Sequence, residues 1–316
     1  MTAKVPSLIP VALPVVHANF SHTGNGYPQP MLARLLLLLV ALTLPAIASP
    51  NPEWTANHAP FRIAGNLYYV GSNDLAAYLI TTPQGNILIN SNLATSPPQI
   101  QHNIEALGFR FADTKILLNG QSHYDHIAGM AEIQRLTHAK VEVMDADVPD
   151  TESGGRTDFY FYNDPTGFFA PVKVDHVLHN GEQVKLGGTT LTAHLTPGHT
   201  KGCTTWTMQV TESGHTYNVV ILGGVSANAP NNFIDDPRYP NEAKDFIKTF
   251  QVLHGLPCDI FLGAHGLYFN LKEKYPLLKP GSPNPFVDPA GYKAYIDERE
   301  QNFRAELARQ VAARKK

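Results

Sequence analysis

From residue 66 onward the spacing of apolar positions changes repeatedly along the chain. In NLYYVGSNDLAAYLITTPQGNILIN, residues 66–90, strand-like apolar runs are broken at Gly71-Ser72-Asn73-Asp74 and at Pro83-Gln84-Gly85. Such runs with turn residues between them predict several strands joined by tight turns. Residues 98–107 have helical spacing, 115–118 read as a short buried strand, and 127–136 as a second helix. KVEVM, from Lys140, resumes strand character. ESGGRTDFYFYNDPTGFF, from Glu152, mixes Gly, Asp and aromatic residues without a period and reads as a long loop.

From Lys173 the strand–turn alternation returns in KVDHVL, EQVKLG, TTLTAHLT, TTWTMQVT and YNVVILGG. A helix over 242–254 and a strand at CDIFLGA follow. The final segment, GYKAYIDEREQNFRAELARQVAARKK, reads as a long amphipathic helix with many i, i+4 charge pairs. A run of strands with a helix or two is thus given twice. That pattern predicts two packed sheets covered by helices on both outer faces. No low-complexity linker divides the halves, so residues 49–316 are expected to form one domain.

Composition narrows the possibilities. A length of 316 residues with 43% hydrophobic content supports a sizeable core, and a net charge of −3 without a basic stripe argues against nucleic acid as a partner. Two cysteines, Cys203 and Cys258, do not make a disulfide scaffold. MLARLLLLLVALTLPAIAS, from Met31, has one arginine, an apolar run and the small-x-small pattern Ala46-Ile47-Ala48. It reads as a secretory signal peptide, too short and wrongly flanked for a stable membrane span. Residues 1–30 make no sense ahead of an export signal and are expected to be a non-native extension, with translation starting at Met31. The mature chain would begin near Ser49, in the periplasm or medium, with no membrane attachment after cleavage.

The chemistry concentrates in NGQSHYDHIAG, residues 119–129, where His123, Asp125 and His126 fall within four positions. Gln121 sits where the spacing leads one to expect another histidine. Two more histidines stand on loops at strand ends, His199 in TPGHTKG and His265 in FLGAHG. Ligands placed this way, on loops anchored by rigid strands, can converge from distant parts of a chain. Imidazole and carboxylate suit zinc, which brings the pKa of a bound water to about 7. His123 and His126 cannot serve one ion from a regular helix, but from a strand-to-helix turn they can face neighbouring sites. A bland alternative makes the cluster a polar turn capping a helix. His102, His138, His176, His179 and His254 are read as surface or satisfied core residues. His194, inside an alternating strand, is read as packing.

QSHYDHIAG, TPGHTKGCTTW and LGAHG resemble the metal-binding motifs of the metallo-β-lactamase superfamily, H-x-H-x-D-H followed by two further histidines. ESGGRTDFYF, DDPRYP and NPFVDPAGYKAYIDEREQNF resemble subclass B3 in particular. The resemblance implies an αβ/βα sandwich, an α/β fold of two central mixed sheets with helices on both outer faces and metals at one edge. It implies two zinc sites, one of Gln121, His123 and His199, the other of Asp125, His126 and His265. It further implies hydrolysis of the β-lactam amide of penicillins, cephalosporins and carbapenems by metal-activated water, hence antibiotic resistance. Asp125 would act as the catalytic residue that orients the water and passes its proton, and no serine nucleophile is needed.

The chain departs from the family pattern at several points. YNVVILGGVSANAP, residues 217–230, lacks the bridging aspartate of glyoxalase II and the lactonases, and Gly224 stands where subclasses B1 and B2 place a cysteine ligand. Both absences favour subclass B3. Gln121 replaces the usual first histidine; its neutral carbonyl is a weaker zinc donor, so one or two zinc ions are expected, with this site the weaker. A serine usual near Gly224 is missing, leaving Ser226 and Asn228 as the nearest groups to hold a substrate carboxylate. Cys258 matches a family disulfide position whose partner position holds Tyr292, and Cys203 is left open between free and paired. A small-molecule substrate and a monomeric enzyme are expected. The alternatives are a hydrolase of the same superfamily acting on a lactone, thioester or peptide-like amide, and an exported metal-binding protein without turnover.

Overall fold

The computed structural model describes residues 51–226 and 232–314. The predicted signal peptide and Asn228 lie outside them. Among the described residues, twelve strands and seven α-helices follow in chain order. β1 (Phe61–Ala64), β2 (Leu67–Tyr69), β3 (Tyr78–Thr82) and β4 (Gly85–Ile89) form an antiparallel meander. α1 (Pro97–Ala106) leads to β5 (Thr114–Leu118), α2 (Tyr124–Ile127) and α3 (Met130–Thr137) to β6 (Lys140–Met144), and α4 (Val148–Ser153) to β7 (His176–Leu178). β4 to β7 pair in parallel, so the first sheet is mixed and runs β1-β2-β3-β4-β5-β6-β7.

The second sheet runs β12-β11-β10-β9-β8. β8 (Gln183–Leu186), β9 (Thr189–Leu195), β10 (Thr204–Glu212) and β11 (His215–Leu222) are antiparallel neighbours. α5 (Glu242–Gly255) crosses over to β12 (Ile260–Gly263), parallel to β11, and α6 (Leu271–Lys274) and α7 (Pro289–Arg314) complete the chain. The expected two-sheet sandwich is therefore the observed one. Among the described residues no helix is long and apolar enough to cross a membrane.

Side-chain alternation explains the layers. In β3 to β5, Tyr78, Ile80, Ile87, Ile89, Ile116 and Leu118 enter the core between the sheets. Their neighbours Leu79, Leu88 and Leu117 turn the other way, against Ile100 and Ile104 of α1 and Ile133 of α3. A strand buried on both faces must read as a continuous apolar run, which is how these strands read in the sequence. On the far side, Phe246, Phe250 and Leu253 of α5 pack with Ile296 and Phe303 of α7 over the second sheet.

Local departures from the sequence reading have physical causes. The single helix expected over 127–136 is two, separated at Gly129, where a Cβ would lie 2.5 Å from the Ser91 carbonyl oxygen. The loop expected from Glu152 begins at Gly154, because Val148–Ser153 closes one short helix with a proline in its first turn. Both cysteines are free, and the Tyr292 hydroxyl donates to the Leu253 carbonyl at 2.7 Å. His194 has the packing role expected, with Nε2 2.8 Å from Thr207 Oγ1 in the neighbouring strand.

The two sheets meet closely where β5 and β11 end. Thr204 N donates to the Gly120 carbonyl at 2.7 Å, and Trp206 Nε1 donates to the Asn119 carbonyl at 2.9 Å. A Cβ on Gly120 would lie 2.9 Å from Gly223 Cα, and one on Gly223 would strike the Gly120 and Thr204 carbonyl oxygens. Gly223→Ala should therefore destabilise the protein by about 1–3 kcal/mol, as overpacking does. That corresponds to a melting temperature lower by roughly 3–10 °C. An unchanged melting curve would show that the strand ends have room to separate.

Candidate metal centre

Three strands deliver the candidate ligands to one edge. β5 ends at Leu118 and runs through Gln121 to His123; β9 ends at Leu195 before His199; β12 ends at Gly263 before His265. His123 is the extended residue preceding α2 (φ −86°, ψ 149°), whereas Asp125 and His126 lie within that helix. This change of backbone aims neighbouring residues at different partners.

His123 Nδ1 stands 3.2 Å from His199 Nε2. His199 Nδ1 lies 2.7 Å from the Ser226 carbonyl, a contact that fixes the ring and leaves Nε2 facing inward. Gln121 flanks the same pair: a Cβ on Gly224, which follows β11, would come within 2.6 Å of His199 Cδ2 and 3.2 Å of Gln121 Nε2. Gln121 Nε2 donates to the Gly223 carbonyl at 3.4 Å, while its Oε1 is buried without a hydrogen-bond partner.

The second group is tighter. Asp125 Oδ2 is 3.2 Å from His126 Nε2 and 3.5 Å from His265 Nε2. Among the described residues, Asp125, His126 and His265 are the one group of metal-binding side chains whose ligand atoms all lie within 4.8 Å of one another. His126 is fully buried, and neither ring nitrogen has a hydrogen-bond partner. Buried polar atoms left unpaired cost free energy unless something satisfies them. Gln121 Oε1 and His126 Nε2 are such atoms, and a cation is the partner their lone pairs suit. The donor set fits a metal ion.

Electrostatics agree with the geometry. Burial opposes ionisation of Asp125, but the His126 and His265 imidazoles outweigh it and hold the carboxyl well below its ordinary value. Burial, aided by the neighbouring His123, pushes the His199 pKa down to about 3, and burial also lowers that of His126. Both rings are thus neutral near pH 7, the form that binds metal. Burial would lower His265 too, yet hydrogen bonds and charge from Asp125 and Asp74 raise it to about 9.

Several residues at the site gave no sequence signal. Asp74, read only as part of a turn, places Oδ2 2.9 Å from His265 Nδ1 and accepts from Leu267 N at 3.0 Å through Oδ1. Asp158, within the aperiodic loop, puts Oδ2 3.4 Å from His123 Nε2, close enough for charge attraction though not aligned as a hydrogen bond. Phe161 from the same loop stands edge-on to His123, with ring centroids 5.1 Å apart. Asp147 binds the backbone on either side of the first group. Of the predicted substrate contacts only Ser226 is described; its carbonyl is the His199 partner and its side chain lies against Tyr268.

The family model of the metallo-β-lactamase superfamily matches residues 75–265. Among solved structures, the native FEZ-1 metallo-β-lactamase from Legionella gormanii is 52% identical, with a TM-score of 0.80 over 81% of this chain and 98% of that one. The class B3 di-zinc metallo-β-lactamase LRA-12 from an Alaskan soil metagenome is 39% identical, with a TM-score of 0.76 over 81% and 97%. BJP-1, a subclass B3 metallo-β-lactamase of Bradyrhizobium japonicum, is 36% identical, with a TM-score of 0.78 over 83% and 98%. The motifs, the sandwich and these likenesses agree, and the chain belongs to the metallo-β-lactamase superfamily, with subclass B3 enzymes among its near relatives.

Proposed function

We propose that this protein is a zinc-dependent β-lactamase that opens the four-membered amide of penicillins, cephalosporins and carbapenems, and so confers resistance to them. The observation that carries the reading is the Asp125–His126–His265 group, two imidazoles and a carboxylate drawn to one point from opposite sheets. Zinc would be held there and, more weakly, by Gln121, His123 and His199. Bound zinc supplies Lewis-acid polarisation of a carbonyl and lowers the pKa of water to about 7.

The remaining steps belong to the protein's own side chains. The Asp125 carboxylate, ionised and fixed between His126 and His265, orients the attacking water and accepts its proton. The hydroxyl adds to the lactam carbon, the C–N bond breaks, and the proton returns from Asp125 to the ring nitrogen. Ser226, whose carbonyl meets His199, and Asn228 bind the substrate carboxylate. Phe161 and Trp54 form apolar walls near the two ligand groups, with ring centroids 5.1 Å from His123 and 5.9 Å from His265. No side chain is acylated, so inhibitors that trap a serine should leave turnover untouched.

Chelation should abolish lactam hydrolysis, and added zinc should restore it. Asp125→Ala should lower kcat by about two to four orders of magnitude through loss of the proton carrier alone, and should also weaken zinc binding. Steady hydrolysis of a penicillin or carbapenem by the chelated protein or by this variant would overturn the proposal. Activity confined to a lactone or thioester substrate would redirect it to another hydrolase of the superfamily.

The paired donors are unequal, because a neutral amide oxygen binds zinc less well than imidazole. Gln121→His should therefore tighten the weaker zinc, read as a second equivalent retained against a competing chelator. Two equally tight ions in the unmodified protein would contradict this ordering.

Export through a signal peptide spanning residues 31–48 completes the proposal and places the monomeric enzyme where it meets antibiotics. N-terminal sequencing of protein recovered from the periplasm should begin near Ser49. A mature terminus upstream of Met31 would refute it.

A further inference from the structure

Trp54 lies outside both ligand groups, in the stretch that precedes β1. That stretch is bound to the turn carrying Asp74. Asn73 N donates to the Ala56 carbonyl at 3.1 Å, and Asp74 N to the Glu53 carbonyl at 3.2 Å. Asn73 Nδ2 donates to Glu53 Oε2 at 2.9 Å, and Ser72 Oγ to the Glu53 carbonyl at 3.2 Å. Held in this way, Trp54 Nε1 donates to Asp74 Oδ2 at 3.1 Å. The same oxygen is 2.9 Å from His265 Nδ1. The indole also packs against the rings of His265 and Tyr124, with centroids 5.9 and 6.3 Å away.

We propose that Trp54 is a positioning residue for the second zinc site, acting on His265 through Asp74. The inference rests on the reading of Asp125, His126 and His265 as zinc ligands. A carboxylate that accepts from Nδ1 fixes both the tautomer and the ring orientation of a histidine, leaving Nε2 as the ligand atom. His265 Nε2 is the atom that faces Asp125. The Asp74 carboxylate is itself fixed on both oxygens, by Leu267 N on Oδ1 and by Trp54 Nε1 on Oδ2. Removing the indole N–H leaves Oδ2 with His265 alone, and the carboxylate gains freedom to rotate with the ring. Zinc affinity thus depends on a residue near the first described position, far in sequence from the ligand it orients.

The test compares zinc affinities of the full exported protein and of variants, measured by competition with a chromophoric chelator, with the melting temperature of each metal-free protein recorded alongside. Trp54→Phe keeps an aromatic ring but loses the donor, and should weaken the tighter zinc about tenfold, the lower end of the effect of outer-shell partners. Trp54→Leu, which also lacks a hydrogen-bond donor, should behave alike. Asp74→Ala should weaken that zinc by roughly 10–100-fold. Trp54→Phe added to Asp74→Ala should cost nothing further, because the donor then has nothing to hold. Wild-type zinc affinity in both Trp54 variants, or an undiminished loss in the Asp74→Ala background, would overturn the inference. Asp125→Ala separates the two levels. If it removes the tight zinc while Trp54→Phe leaves zinc affinity at the wild-type value, the positioning role alone fails; if it leaves zinc bound, the ligand assignment fails and the inference with it.

Discussion

One buried carboxylate ties together the two loops on which the first ligand group depends. Asp147 Oδ2 accepts from Ser122 N at 3.0 Å and from Thr200 Oγ1 at 2.8 Å, and Oδ1 accepts from Gly202 N at 2.6 Å. Ser122 separates Gln121 from His123 and follows a strand of the first sheet; Thr200 adjoins His199 and precedes a strand of the second. Burial raises the Asp147 pKa, and the bonds from Thr200 and Gly202 act against that rise. Nothing larger than glycine fits at 202, where a Cβ would lie 2.7 Å from Asp147 Cβ. The His123 and His199 rings carried by these two loops stand 3.2 Å apart across the sheets.

Around that clamp the two ligand groups differ in charge as well as in donor type. Gln121, His123 and His199 form a set with no formal negative charge. Asp125 gives the second set a carboxylate that stays ionised in spite of its burial. A divalent cation is therefore attracted more strongly to the second set even before donor softness is considered. The orienting contacts follow the same division. His265 has a carboxylate behind it and His199 a backbone carbonyl, whereas the Asp158 carboxylate stands beside His123 without hydrogen-bond alignment.

The fold was legible because its signal is spread over many residues. Strands such as ILLN and NVVIL are apolar on both faces, and no solvent-facing strand or amphipathic helix reads that way. The H-x-D-H cluster was legible for the opposite reason, since three metal-binding side chains crowd into four positions. The outer partners are single residues far away in sequence. Asp74 and His265 are 191 positions apart, and Asp74 sits in a segment whose composition already explains a turn. Asp147 precedes a six-residue helix too short to show a period, and Asp158 lies in a loop with none. A residue whose only role is to hold another side chain leaves no periodic trace.

Two features look independent in sequence, a glutamine at 121 and a glycine at 224. In space Gly224 lies close to both Gln121 and His199. A side chain at 224 would have to displace the His199 ring or the Gln121 carboxamide, because even a bare Cβ would approach them to 2.6 and 3.2 Å. Gly224 therefore leaves the room in which His199 turns toward His123, and its neighbour Gly223 supplies the carbonyl that receives Gln121 Nε2. With the amide nitrogen directed at that carbonyl, the amide oxygen is left buried without a hydrogen-bond partner. The carboxamide is thus held by a backbone carbonyl, without a partner side chain of its own. In the proposed zinc site the weakness of Gln121 is a matter of donor chemistry, since its oxygen is left free of other partners.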